Sequence, residues 1–202
     1  MASAVKVSKL PPNLLCLPAS FYERDTLIVA EELLGKYLVR QIHAKKMIGK
    51  IVEVEAYVGE SDPACHAFRG LTPRTKIMYG KSGHAYVYFN YGMHFLLNVV
   101  TEREGFPAAV LIRALEPVSG FKGDDPRPAS GPGKLCRSMK IDKELNGEPF
   151  TGTRLWIGEL QSDEKQDFEV RWSTRIGISV GQDKLWRAYI AGNRFVSGKL
   201  KQ

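Results

Sequence analysis

The residues best placed to do chemistry lie between Ile48 and Tyr57, in IGKIVEVEAY. Read as a β-strand, this stretch alternates. Val52, Val54 and Ala56 point one way, and Glu53, Glu55 and Tyr57 point the other. Two carboxylates and an aromatic ring on one face have two readings: an ordinary solvated face, or an active site with one carboxylate held beside a substrate. Two charged carboxylates on a dry face repel, so the second reading requires an arginine or backbone N–H partner for at least one of them. Arg113 is a candidate partner. It interrupts the apolar strand AAVLIRALEP, where an unpaired guanidinium would be costly. Its partner is Glu55 or a phosphate.

The second informative stretch is His84 to Asn98, HAYVYFNYGMHFLLN. Period-two alternation on both sides of Asn90-Tyr91-Gly92-Met93 predicts a β-hairpin, with Gly92 supplying the positive φ of the turn. Tyr91 then sits at the tip, where polar residues are usual. It is either a docking anchor or wedge at the end of a rigid finger, or an aromatic folded back on the protein's own core.

Residues 58–83 are rich in Gly, Pro, Ser and charge, which predicts loop with a short helical piece at Thr75 to Tyr79. His66, Arg69, Arg74, Lys76 and Lys81 fall here. A basic loop with interspersed aromatics suits a phosphate backbone, or it is ordinary loop surface. Ser130 to Leu135, SGPGKL, reads as a loop running into a helix that ends near Met139. It does not match the spacing of a P-loop, but backbone N–H groups beside Lys134 could meet a phosphate.

The elements that must position these residues follow from periodicity. Leu10 to Ala19 is extended and proline-rich. Phe21 to Gly35 reads as a helix, with Asp25 as N-cap, Leu27, Ile28, Leu33 and Leu34 near one stripe, and Gly35 ending it. Tyr37 to Ile42 is a strand, followed by a basic turn into Ile48 to Tyr57. The hairpin returns along His94 to Val100. Thr153 to Ile157 opens the final part of the chain, Glu159 to Glu169 reads as an acidic surface loop, and WSTRIGISV and LWRAYIAGNRFVS read as short strands or turns closing the core. Residues 1–13 read as a flexible basic arm, and 14–202 as a single domain.

The 202 residues carry 29 Lys and Arg against 22 Asp and Glu, a formal charge of +7. This suits nucleic acid or an anionic surface. No apolar run reaches the roughly 20 residues of a membrane span, and the N-terminus lacks the apolar segment of a secretory signal. Cys16, Cys65 and Cys136 are odd in number and far apart, which fits a reducing compartment without structural disulfides. No ligand spacing suggests a metal, and no cofactor is expected. The expected location is the cytoplasm, at the nucleoid, or the nucleus in a eukaryote.

At EVEAYVGESDPACHA, YVYFNYGMHFLLNV, LIRALEP, GPGKLC and RIG, the sequence resembles the alkyladenine (3-methylpurine) DNA glycosylase family. The likeness runs from about Leu14 to Ser197, with several long motifs in order, and the short N-terminus resembles the bacterial branch. The resemblance implies an α+β fold: a compact mixed domain with a curved, mainly antiparallel sheet, flanking helices and a protruding hairpin. It implies a monofunctional, monomeric base-excision repair enzyme acting on double-stranded DNA that contains damaged purines.

By the same resemblance, Glu55 is the general base that activates water, and Arg113 helps to hold that water and a nearby phosphate. Tyr57, His66 and Tyr88 wall the pocket for a flipped base, and the His66 N–H reads its edge. Asn98 disfavours guanine through its amino group. Tyr91 fills the gap left in the duplex, with Met93 and His94 supporting it at the DNA surface. Arg74, Lys76 and Lys134 are candidate phosphate contacts. His94 stands where some relatives carry an aromatic, and Glu102 to Pro107 is longer than the turn in some others.

The chemistry is coherent. Extruding a base costs a few kcal/mol, which a wedge residue offsets, and each base–aromatic stack returns roughly 1–3 kcal/mol. Alkylation at N3 or N7 makes the purine cationic, so it stacks better on tyrosine faces and leaves more readily. Glycosidic cleavage puts oxocarbenium-like charge on the sugar, which a carboxylate stabilises while taking a proton from water. The expected substrates are 3-methyladenine, 7-methylguanine, hypoxanthine and ethenoadenine. Two competing readings are a non-catalytic nucleic-acid-binding module, which needs Tyr91 but not Glu55, and a nucleoside hydrolase, which has no use for Tyr91.

Overall fold

The alternation read in IGKIVEVEAY organises the whole sheet. In the computed structural model, which describes residues 14–90, 92–161 and 167–198, nine strands of the described residues form one sheet. They are β1 (Leu14–Cys16), β2 (Tyr37–Ile42), β3 (Lys45–Val58), β4 (Ala85–Asn90), β5 (His94–Thr101), β6 (Ala108–Ser119), β7 (Leu155–Leu160), β8 (Val170–Ser173) and β9 (Arg187–Ile190). The main path is β1-β7-β2-β3-β6-β5-β4, with β9 beside β3 and β8 beside β9. All these pairings are antiparallel. With helices α1 (Ala19–Tyr22), α2 (Thr26–Leu33) and α3 (Pro132–Met139), this is the expected α+β class.

The sheet forks at β3. Its first half pairs with β2, and Glu53–Glu55 pair with Tyr189–Arg187 of β9, while β6 runs along the other edge. Register shifts near Glu53 leave Val52 and Arg113 out of the β3–β6 pairing. A bulge of this kind bends the strand and re-aims side chains, and it falls where two carboxylates and an arginine must share a dry space.

Strand alternation builds two cores on opposite faces. Val52, Val54, Ala56, Ala85, Val87, Leu97, Val99 and Val110 enter the main core, which α2 and α3 cover with Val29, Leu33, Leu135 and Met139. Each large apolar side chain buried in this way contributes about 1.5–3 kcal/mol. On the other face, Tyr86, Val100 and Ala109 pack with Cys65, Ala67 and Met78 of the long loop, and Tyr57 and Tyr88 lie against them.

Several boundaries differ from expectation. The single helix expected over Phe21 to Gly35 is two, because Asp25 caps a fresh start by accepting from the N–H groups of Leu27 and Ile28. Ile28 is half exposed, off the buried stripe of Val29, Ala30 and Leu33. In the long loop, 3-10 turns form at His66–Arg69 and Lys76–Tyr79. A strand at Leu155–Leu160 takes in the first residues of the stretch read as an acidic surface loop. The hairpin turn is where the sequence places it, with the Met93 N–H donating to the Asn90 carbonyl and Gly92 at φ 65°. Residues 1–13, Tyr91 and 162–166 lie outside the described residues.

Candidate active site

One transverse row across five strands lays out the site. Arg187 of β9 is opposite Glu55 of β3, Glu55 is opposite Leu111 of β6, Leu111 is opposite Asn98 of β5, and Asn98 is opposite Tyr86 of β4. Directly opposed residues share a face, so this row carries a carboxylate, an amide and a phenol on one side of the sheet. One row over, Tyr57 faces Ala109, whose small side chain leaves room beside the ring. A cavity of about 740 Å³ opens there, lined by Tyr57, His66, Tyr88, Asn98, Arg113 and Ile176 among others. That size is in the range that holds a small organic ligand.

Glu55 is fully buried, directly behind cavity-lining groups. Its Oε1 accepts from the Ile176 N–H at 2.7 Å and pairs with Arg113 Nη1 at 3.1 Å, and its Oε2 accepts from the Tyr57 hydroxyl at 2.8 Å. Glu53 is also fully buried. It accepts from Arg113 Nε at 3.1 Å, Arg187 Nε at 2.7 Å, and the Ser197 N–H and hydroxyl at 2.6 and 2.9 Å. The solvated-face reading of the two glutamates is therefore excluded. Two carboxylates are balanced by two guanidiniums, with further hydrogen bonds from Ile176, Tyr57 and Ser197. This is the condition under which charges can stay buried. Burial pulls the Arg113 pKa down, but Glu55 and Glu53 outweigh it and raise it overall. Burial and then Glu55 push the Tyr57 phenol well above its ordinary value, so it stays protonated and donates.

A second buried pair props the site from behind. Arg175 makes a two-pronged contact with Asp62, at 2.6 and 2.8 Å, and donates to the Ala56 carbonyl at 3.0 Å. Its guanidinium carbon lies 4.7 Å from the Tyr57 ring centroid. This contact fixes the ring and also the next residue, Ile176, whose N–H holds Glu55.

The opposite wall comes from the loop. The His66 ring meets Tyr88 edge-on at 4.5 Å and Tyr86 at 6.0 Å. His66 Nδ1 lies 2.9 Å from the Tyr86 hydroxyl and Nε2 lies 3.4 Å from Arg74 Nη2. Burial and then the Arg74 cation pull the imidazole down to about 4, so the ring is neutral near pH 7. With Nε2 accepting from Arg74, the network assigns the proton to Nδ1. His66 opens its 3-10 turn, where no intra-turn acceptor exists, and its N–H has no protein partner among the described residues. Asn98 is buried, and its Nδ2 donates to the Tyr86 carbonyl at 3.0 Å.

The structure thus brings Tyr57, His66, Arg74, Tyr88, Met93, His94, Asn98 and Arg113 to one cavity, with Glu55 behind it. Met93 and His94 are exposed at the mouth. A Cβ on Gly133 would fall 2.8 Å from His94 Cγ, so the glycine lets α3 approach that rim. Lys76 is exposed on its 3-10 turn, and Lys134 pairs with Asp125 at 2.9 Å; neither lines the cavity. Tyr91 lies outside the described residues. Among them, no cluster of three His, Cys, Asp or Glu is placed to hold a metal, and no helix is long and apolar enough to cross a membrane.

Residues 20–194 match the family described as methylpurine-DNA glycosylase. The chain belongs to that family. It is 49% identical over 194 residues to a protein of Carboxydothermus hydrogenoformans, covering 92% of this chain and all of the relative. A protein of Legionella pneumophila (strain Corby) is 47% identical over 184 residues, covering 90% of this chain and 97% of the relative. One of Methanocella arvoryzae is 47% identical over 194 residues, covering 90% and 95%. All three are named, provisionally, as 3-methyladenine DNA glycosylases. Family membership agrees with the resemblance carried by the hairpin and carboxylate-strand motifs.

Sequence reasoning did not assign Asp62, Tyr86, Arg175, Ile176, Arg187 or Ser197. One signal was available. Arg187 stands inside the apolar run LWRAYIAG, and the argument that singled out Arg113 applies to it unchanged. Asp62 and Arg175 are 113 residues apart and lie in loop segments without periodicity, so nothing local links them.

Proposed function

We propose that this methylpurine-DNA glycosylase family member excises alkylated or deaminated purines from double-stranded DNA by a single hydrolytic step. The observation that carries this reading is the setting of Glu55, held by Arg113, the Ile176 N–H and the Tyr57 hydroxyl at the back of an aromatic-walled cavity. The damaged nucleotide swings out of the stack, and its base enters between Tyr57 on one side and His66 and Tyr88 on the other. The unpartnered His66 N–H meets an acceptor on the base, and Asn98 crowds an exocyclic amino group. Tyr91, Met93 and His94 stand at the duplex, with Tyr91 filling the gap.

At the reacting bond, Glu55 is the general base. Its Oε2 takes a proton from water as the C1′–N bond lengthens, and its charge stabilises the oxocarbenium-like sugar. The water's oxygen bonds to C1′ and the bonding pair leaves with the purine; a cationic N-alkylpurine departs neutral, a neutral purine departs as an anion that takes a proton from solvent, and an abasic site remains. Arg113 orients the carboxylate and balances its charge in a dry site. The protein works as a monomer, where the cell keeps its DNA. The names of the relatives support 3-methyladenine as a substrate, and the cavity's aromatic walls suit a stacked purine.

The test is base release from duplexes that each carry one lesion: 3-methyladenine, 7-methylguanine, hypoxanthine or 1,N6-ethenoadenine. The expected products are free base and an intact abasic strand, with no adduct trapped by borohydride. Duplex binding without release from any lesion would leave only a binding module. A trapped adduct would replace water with an amine nucleophile.

A further inference from the structure

The cavity contains a cation of its own that the proposed reaction does not use. Arg74 follows Pro73 in a turn locked by reciprocal bonds: the Thr72 N–H donates to Thr75 Oγ1 at 2.8 Å, and the Thr75 N–H donates to Thr72 Oγ1 at 3.1 Å. From this fixed base the exposed Arg74 side chain lies along the cavity wall. Its guanidinium carbon lies 4.9 Å from the Tyr88 ring centroid, and Nη2 lies 3.4 Å from His66 Nε2. Among the described residues no carboxylate pairs with it. Arg69 and Arg113 also line the cavity, and no carboxylate does. Glu55, just behind, is already matched to Arg113.

This arrangement has a consequence for charge. A cation is drawn to the face of a tyrosine, and in the free protein the face of Tyr88 already carries one. A purine made cationic by alkylation must displace Arg74 or sit beside an uncompensated like charge, a repulsion that solvent at this exposed wall weakens but does not abolish. A neutral purine with a carbonyl on its six-membered ring meets no repulsion, and its oxygen can accept from the guanidinium.

We propose that Arg74 is a specificity residue that shifts excision away from cationic N-alkylpurines and towards neutral oxo-purines such as hypoxanthine. This rests on the reading that the cavity receives a flipped base. It differs from an outward phosphate contact, because a phosphate contact would weaken all duplexes alike.

The experiment measures single-turnover base release at saturating enzyme, on otherwise identical duplexes carrying hypoxanthine or 7-methylguanine. Saturation removes any loss of DNA affinity from the comparison. Arg74→Gln keeps hydrogen-bond donors and removes the charge, whereas Arg74→Lys keeps the charge. The expected result is a rise of about tenfold in the 7-methylguanine to hypoxanthine rate ratio for Arg74→Gln, equivalent to about 1.4 kcal/mol, and a ratio near wild type for Arg74→Lys. A second readout needs no activity: the His66 ring, which faces Arg74, Tyr86 and Tyr88, should titrate at higher pH in Arg74→Gln when followed by NMR. An unchanged or lowered ratio in Arg74→Gln, an equal shift in Arg74→Lys, or unchanged His66 titration overturns the inference while leaving the glycosylase reading intact. If the wild type releases neither base, the inference falls; if it releases none of the other lesions either, the glycosylase reading falls with it.

Discussion

The Tyr57 hydroxyl donates to Glu55 Oε2 across 2.8 Å, from two residues further along the same strand. The ring lines the cavity and the hydroxyl caps the carboxylate, so one side chain both stacks and orients. Substitution separates the two tasks. Tyr57→Phe keeps the stacking face and gives up one hydrogen bond to a charged group, about 1.5–3 kcal/mol of stability. Tyr57→Ala also loses a base stack worth roughly 1–3 kcal/mol. Single-turnover base release is expected to fall further in Tyr57→Ala than in Tyr57→Phe, by an additional factor of about five or more. Equal rates in the two variants would show that the ring does not hold the base.

Arg113 is shared between Glu53 and Glu55, at 3.1 Å from each. Arg113→Met fills similar volume but leaves two buried carboxylates with one guanidinium, Arg187, between them. Breaking a buried pair in this way costs about 3–5 kcal/mol, to be read from urea unfolding of variant and wild type. A loss below about 1 kcal/mol, the worth of an exposed pair, would contradict the geometry.

These charged residues show how far the sequence could be read. Alternation in EVEAY placed Glu53, Glu55 and Tyr57 on one face, and the intrusion of Arg113 into an apolar strand marked it for pairing, because both signals are local. That Arg113 bridges both glutamates depends on a bulge in the β3–β6 pairing, a property of two strands together. The fork at which β9 joins β3 is equally a property of two strands, so Ser197 carries no local signal, whereas the intrusion of Arg187 into an apolar run does mark it for pairing. The split between α1 and α2 is hidden for a different reason: Asp25 reads as a cap, but Phe21 and Tyr22 before it continue the apolar pattern of the helix that follows.

His66 gives a pH signature. Its folded value of about 4 lies below its ordinary 6.5, so between those values the unfolded chain binds more protons than the folded one. Stability therefore rises with pH across that window; this contribution is full above 6.5 and lost as the pH falls towards 4. Urea unfolding at several pH values between about 7 and about 4.5 should show a shallower decline for His66→Gln than for wild type. Identical slopes would mean that His66 titrates normally in the fold.

The approach of α3 to the hairpin rim can be tested sterically. Gly133→Ala drives a methyl to within 2.8 Å of the His94 ring, an overpacking that costs about 1–3 kcal/mol. His94→Ala in the same chain removes the ring but leaves Cβ 3.0 Å away, so it should recover part of the loss, and the coupling is measured by a double-mutant cycle. Additive losses would place the two residues further apart than described.

Glu55→Gln is the most direct test of the mechanism. Glutamine matches the shape of glutamate, its oxygen can still accept from Ile176 and Arg113, and its amide can donate to Tyr57, so the site should stay folded. What it cannot do is take a proton from water or carry negative charge opposite the sugar. Base release from a lesion duplex is expected to fall by about 10²–10⁴-fold, the usual contribution of a positioned general base, while lesion-duplex affinity stays close to wild type. A Glu55→Gln protein that binds as well and releases base at the wild-type rate would contradict the account.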